Sequence, residues 1–109
     1  MTKPEVVKSI IHIINQLHEM EHKLNVNQSL DPVSRNLDRI RHHLTEMGYQ
    51  YHSPLLEPYS SERTDCEASI AGELSDHDMR ITKVIKPMIY QKTDVGESLI
   101  QKAIVIVES

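Results

Sequence analysis

Val6, Ile10, Ile13, Leu17, Met20 and Leu24 follow one another at spacings of four and three residues. This alternation places two rows of apolar side chains along one side of a helix, as the a and d positions of a heptad do. With Ile10, Leu17 and Leu24 as the a row, Val6, Ile13 and Met20 are the d row. Val7, Ile11 and Ile14 widen the stripe beyond the seam of a two-stranded coil, which suits a bundle better. A helix is therefore predicted from about Pro4 to Leu24, with Thr2 as its cap and Pro4 tolerated in the first turn.

The same rhythm returns after a polar stretch. Asn25 to Leu30 holds two Asn and one Ser, which compete with helix through local hydrogen bonds and predict a loop. Asp31 and Pro32 form an N-cap followed by a first-turn proline. Val33, Leu37, Ile40, Leu44 and Met47 then alternate four and three, and Gly48 supplies a left-handed C-cap. A second helix is predicted over residues 32–47, antiparallel to the first.

Two wide apolar stripes cannot both be hidden by one hairpin. Pairing two hairpins into a four-helix bundle hides them, with Ile10, Ile13, Leu17, Leu37, Ile40 and Leu44 at the dimer interface. The alternative is that the rest of the chain covers the stripes.

After Gly48 the period changes from helical to β-type. Tyr49–Leu56 is extended and broken by Pro54, residues 58–65 are loop-like, and Glu67–Gly72 reads as a short strand. Ser75, Asp76 and Asp78 suggest a turn. Met79–Lys86 alternates, with Ile81, Lys83 and Ile85 on one face and Thr82, Val84 and Lys86 on the other. Pro87 breaks that ladder as an edge, bulge or bend. Met88–Gln91 continues it, Thr93–Glu97 is a hairpin turn region, and Leu99–Val107 reads as one long strand buried on both faces. The expected fold is α+β: a helical hairpin over residues 1–48 for dimerisation, and a small all-β domain over 49–109 for partner binding.

Composition narrows the function. With 109 residues, either half would be marginal alone. There are four Tyr and no Trp or Phe, so no aromatic platform exists for nucleic-acid bases. The formal charge is −4 and the basic residues are scattered, against the clustered basic face that phosphate backbones require. No nucleic-acid partner is expected. Cys66 is the single cysteine, which precludes an intramolecular disulfide and fits a reducing, cytoplasmic setting; it reads as a small buried hydrophobe. No signal peptide and no membrane-spanning run is expected.

One catalytic motif is present in letter. His18, Glu19 and His22 match the HExxH spacing that places two zinc ligands and a general base on one helical face. With the rows assigned above, His18 and His22 occupy b and f positions on the outer face. The extended form of the motif would need Gly at 25 and His at 28, where Asn25 and Gln28 stand. A solvated face is the simpler reading, and no cofactor or catalytic role is expected. His42 and His43, with Glu46, are likewise read as exposed.

Several motifs in residues 30–109 resemble the GrpE-type nucleotide exchange factors of Hsp70 chaperones. In that family a helix ends at a Gly, followed by a stretch like P-x-G-E-x-F-D-P; here Gly48 is followed by Pro54, Glu57 and Tyr59, with Leu56 in place of Gly and Ser60-Ser61 in place of Asp-Pro. A family strand like I-x-E-V-L-x-P-G-Y is matched in rhythm by Ile81–Ile89, with Pro87 kept and Met88 and Ile89 replacing Gly and Tyr. A final L-R-P-A-x-V-x-V is matched by Ile100–Val107, with Ala103 kept. The long paired stalk of the family has no counterpart beyond the first helix. The resemblance implies a dimeric bundle bearing β wings that bind the nucleotide-binding domain of an Hsp70-type ATPase, wedge it open and release ADP. It implies Glu57, Tyr59, Pro87, Met88 and Ile89 as contact residues, with Met88 and Ile89 acting as an exposed anchor for a specialised partner.

Overall fold

Residues 3–26, 32–72 and 78–109 are described by the computed structural model. Helix α1 spans Pro4–Val26 and α2 spans Pro32–Glu46; six strands follow, β1 Tyr49–His52, β2 Cys66–Ile70, β3 Arg80–Lys86, β4 Met88–Thr93, β5 Gly96–Gln101 and β6 Ala103–Glu108. The architecture is α+β, with two three-stranded sheets ordered β1-β4-β5 and β2-β6-β3. The expected caps Thr2 and Asp31, most of the first loop, and Ser75 and Asp76 lie outside the described residues. Within them, α1 runs on through Asn25, which was expected in the loop.

The end of α2 is set by Gly48. Its φ of +96° is costly for any residue with a Cβ, and a Cβ there would stand 3.0 Å from the Lys92 carbonyl oxygen. The Gly48 N–H bonds back to Thr45, and the Lys92 N–H donates to the Gly48 carbonyl at 2.7 Å. The cap therefore also delivers the chain into β1 beside β4.

Four of the strands are one long hairpin. It turns at Asp94-Val95, where Thr93 faces Gly96, and β4 pairs antiparallel with β5 up to Ile89 opposite Gln101. A single residue, Pro87, separates β4 from β3, and a single residue, Lys102, separates β5 from β6. Beyond those two joints β3 and β6 pair antiparallel, but in the other sheet. Pro87 has no N–H to lose where the ladder breaks. The predicted continuous strand Leu99–Val107 is thus two strands, because the whole hairpin bends at that level.

Each half of the hairpin acquires a third strand. β1 joins β4 antiparallel, and β2 joins β6 in parallel, from Cys66 opposite Ala103 to Ile70 opposite Val107. The expected alternation along β3 holds only at its start. Register shifts between Ile81 and Lys83 and between Val84 and Lys86 interrupt it, so Ile81 is buried while Ile85 is exposed. Along β6, Ala103, Val105 and Val107 are buried and Ile104 and Ile106 half-buried.

Two cores result. Ile10, Ile14 and Leu17 of α1 and Leu37 and Leu44 of α2 pack with Tyr49, Tyr51 and Ile89 of the first sheet. Cys66, Met79, Ile81, Met88, Ala103, Val105 and Val107 form the second, with Tyr59, Val84 and Tyr90 against it. The helices and the first sheet share one core across the Gly48 boundary.

Candidate functional site

The two heptad rows have opposite fates. In the a row, Ile10, Leu17, Leu37 and Leu44 are only 4% to 7% exposed, and Leu24 packs against them. In the d row, Val6, Ile13, Met20, Val33, Ile40 and Met47 are between 39% and 61% exposed. Of the six residues expected at a dimer interface, four are therefore inside the chain's own core. The first sheet reaches them through Tyr49, Tyr51 and Ile89, which is the alternative the stripe width allowed. Ile13 and Ile40 remain on open faces. Beside Ile13 a shallow hollow of 290 Å³ is lined by His12, Gln16, Leu17 and Met20. Apolar side chains repeated at this spacing on two helices are more than scattered surface hydrophobes.

The expected exposed anchor is not at the surface. Pro87, Met88 and Ile89 are all 3% exposed or less. They lie where the hairpin crosses between sheets, so Met88 enters the second core and Ile89 the first. Tyr59 is half-buried against the second core. Glu57 is accessible but engaged: it contacts His52 and lies 3.2 Å from Arg63. Arg63 also pairs through two nitrogens with Asp65, at 3.0 and 3.1 Å, and donates to the Pro58 carbonyl. That pairing holds the Asp65 carboxyl below its usual range.

The turn before Glu57 carries what sequence reasoning missed. The Glu57 N–H closes a turn onto the Pro54 carbonyl, and Leu56 sits at φ +67° with its side chain largely exposed. A leucine in the left-handed region is uncommon. The turn is held because the Leu56 N–H donates to Ile81 and Arg80 donates to the Leu56 carbonyl. Val95, at the tip of the long hairpin, is 97% exposed. An apolar residue between Asp94 and Gly96, in a position turns usually give to polar residues, was the available signal.

The zinc-type motif does not assemble. His18 is buried, contrary to its expected outer position, at the wall of a groove of 730 Å³ lined by residues of α1 and β3. Burial holds the His18 pKa below its usual value, with Glu21 opposing and His22 and Arg41 reinforcing the shift. Glu19 pairs with Lys23 at 3.3 Å. Among the described residues no three His, Cys, Asp or Glu side chains converge to hold a metal. His42 and His43 are exposed beside Glu46, as expected.

A second polar hollow, of 520 Å³, opens beside Arg41, Tyr51, His52 and Glu97. The Tyr51 hydroxyl donates to Glu21, Arg41 reaches Glu21 at 3.1 Å, and the Arg41 guanidinium lies 4.3 Å from the Tyr51 ring centroid. Burial first, and Glu21 second, push the Tyr51 pKa up to about 12. The cluster ties α1, α2 and β1 together with the phenol neutral. Burial likewise lifts the Cys66 thiol to about 11, which leaves little reactive thiolate.

Searches against family models, curated proteins and solved structures returned no match to this chain. Among the described residues no helix is long and apolar enough to cross a membrane.

Proposed function

We propose that the protein is a dimeric partner-binding protein of the GrpE-like kind. Two copies join through their d rows into a four-helix bundle, and the sheets are displayed as wings to the nucleotide-binding domain of an Hsp70-type ATPase, promoting ADP release. The observation that carries the reading is the pair of exposed d rows: Val6, Ile13 and Met20 on α1, and Val33, Ile40 and Met47 on α2. Each of these half-exposed side chains has about 1 kcal/mol to gain from burial. The order of elements, two helices and then a small β unit closing on the Ala103–Val107 run, supports the GrpE-like assignment through the motifs quoted above.

On the wing, Glu57 and the exposed Leu55 and Leu56 beside it are the contact residues of this proposal, while Pro87, Met88 and Ile89 support them from the cores. Exchange needs no chemistry by the wing. Binding the open form of the ATPase more tightly than the closed form shifts its population by that difference in affinity.

The test pairs mass with exchange. Light scattering at micromolar concentration is expected to give twice the chain mass. Release of a fluorescent ADP analogue from a cognate Hsp70-type ATPase is expected to accelerate. A variant with Ile13→Glu and Ile40→Glu is expected to be folded, monomeric and slow in exchange. A monomeric wild-type protein would remove the architecture. A dimer that binds no Hsp70-type ATPase would remove the chaperone role and leave a dimeric interaction module.

A further inference from the structure

We propose that the groove between α1 and the free edge of β3 takes an extended acidic peptide, which adds a strand to β3 and sets its carboxylates against Lys83 and Lys86. The proposal is independent of the exchange reading, since it concerns neither the d rows nor the Leu55–Glu57 turn as a contact.

The topology leaves β3 at the edge of its sheet, paired only with β6. The start of its outer edge is already met by the chain that leaves the Leu56 turn, residues Leu56 to Tyr59. The Leu56 N–H donates to the Ile81 carbonyl at 2.7 Å, the Ile81 N–H donates to Glu57 at 3.0 Å, and the Tyr59 N–H donates to Met79 at 2.8 Å, around a bridge between Pro58 and Arg80. The edge therefore accepts main-chain pairing in this protein. Past Ile81 that covering segment stops and the groove begins.

The groove borders the last four residues of this edge strand. Lys83, Val84, Ile85 and Lys86 all line it. Its volume of 730 Å³ leaves room for an extended segment, and Ile85, 53% exposed, offers an apolar contact. Strand addition of this kind draws affinity from main-chain hydrogen bonds and specificity from the flanking side chains.

Charge selects the occupant. No carboxylate among the described residues pairs with Lys83 or Lys86. Glu19, the one carboxylate in the lining, is engaged by Lys23. His12, His18 and His22 on the α1 wall bring no negative charge. A second copy of β3 would set lysine against lysine, which is how edge strands avoid self-pairing. An alternating strand of acidic and β-branched residues meets the opposite charge and fits the edge.

The probe is an acetylated, amidated hexapeptide of alternating Glu and Val, titrated into the intact isotope-labelled protein and followed by backbone amide shifts and calorimetry. Binding is expected to move the amides of residues 82–86. Alternating Lys-Val peptide, and the acidic peptide N-methylated at alternate residues, are expected to bind at least about tenfold more weakly. Lys83→Glu with Lys86→Glu is expected to weaken the acidic peptide by at least about tenfold, and the Gln pair by less; both variants retain the wild-type spectrum elsewhere, since the lysines are exposed. Equal binding of the N-methylated peptide would show a charge patch without strand addition and overturn the proposal. So would wild-type affinity in the double Glu variant, or unmoved amides at millimolar peptide.

Discussion

Asn15 on α1 and Gln101 at the end of β5 exchange two amide hydrogen bonds, at 3.2 and 2.8 Å, across 86 residues of sequence. The Gln101 amide nitrogen also donates to the Pro87 carbonyl at 2.9 Å. One side chain thus ties the first helix to the bend of the long hairpin. Replacing Gln101 by Ala leaves the Asn15 amide and the Pro87 carbonyl without partners, at an expected cost of about 1–3 kcal/mol. Urea unfolding of Gln101→Ala, Asn15→Ala and the double variant checks it. Strictly additive losses would mean the two amides do not act together.

The split between the heptad rows predicts opposite behaviour for neighbouring residues of similar size. Leu17→Ala opens a cavity in the shared core and is expected to cost about 2–4 kcal/mol at any protein concentration. Ile13→Ala is expected to cost under about 1 kcal/mol to the isolated chain and to act on association instead. Denaturant midpoints measured across a hundredfold range of protein concentration separate the two.

Leu56 holds a left-handed backbone with its side chain mostly in water. Glycine adopts that conformation without the Cβ clash, so Leu56→Gly is expected to raise stability by about 0.5–1 kcal/mol, net of the greater freedom of the unfolded chain. A higher urea midpoint is the expected result; a lower one would mean the exposed leucine contributes packing. If Leu56 serves partner binding, the more stable variant also binds less well, as a strained contact residue would.

His18 makes stability depend on pH. Burial lowers its folded-state pKa below 6.5, so the folded protein takes up the proton less readily than the unfolded chain. The stabilising contribution is full above the unfolded value and is lost as pH falls from there through the folded value. His18→Gln is expected to flatten the decline in unfolding free energy between about pH 7 and pH 5. An NMR titration placing the His18 midpoint above 6.5 would refute the assignment.

The parts of this fold that depend on local chemistry could be read from the residues. The four-three spacing located both helices, and Gly48 marked the end of the second because few other residues turn left-handed there. The partition of the rows could not be read, since Ile13 and Leu17 are equally apolar and only the position of Tyr49, Tyr51 and Ile89 decides which is covered. The same holds for His18, whose b position reads as outward in the sequence but is buried in the folded chain. Pro87 signalled a bend, but the bend crosses between two cores and buries Met88 and Ile89. The break at Lys102 has no signal of its own, because it is imposed by Pro87 on the opposite strand.

The bent hairpin couples the two sheets mechanically. Each arm passes from one sheet to the other through a single linking residue, Pro87 or Lys102, so sliding either arm by one residue misaligns both sheets in the same stroke. A slip of the β3–β4 strand would turn Ile81 of one core and Ile89 of the other toward water together. Neither sheet can explore an alternative alignment alone, and the two should melt as one cooperative unit despite having separate interiors.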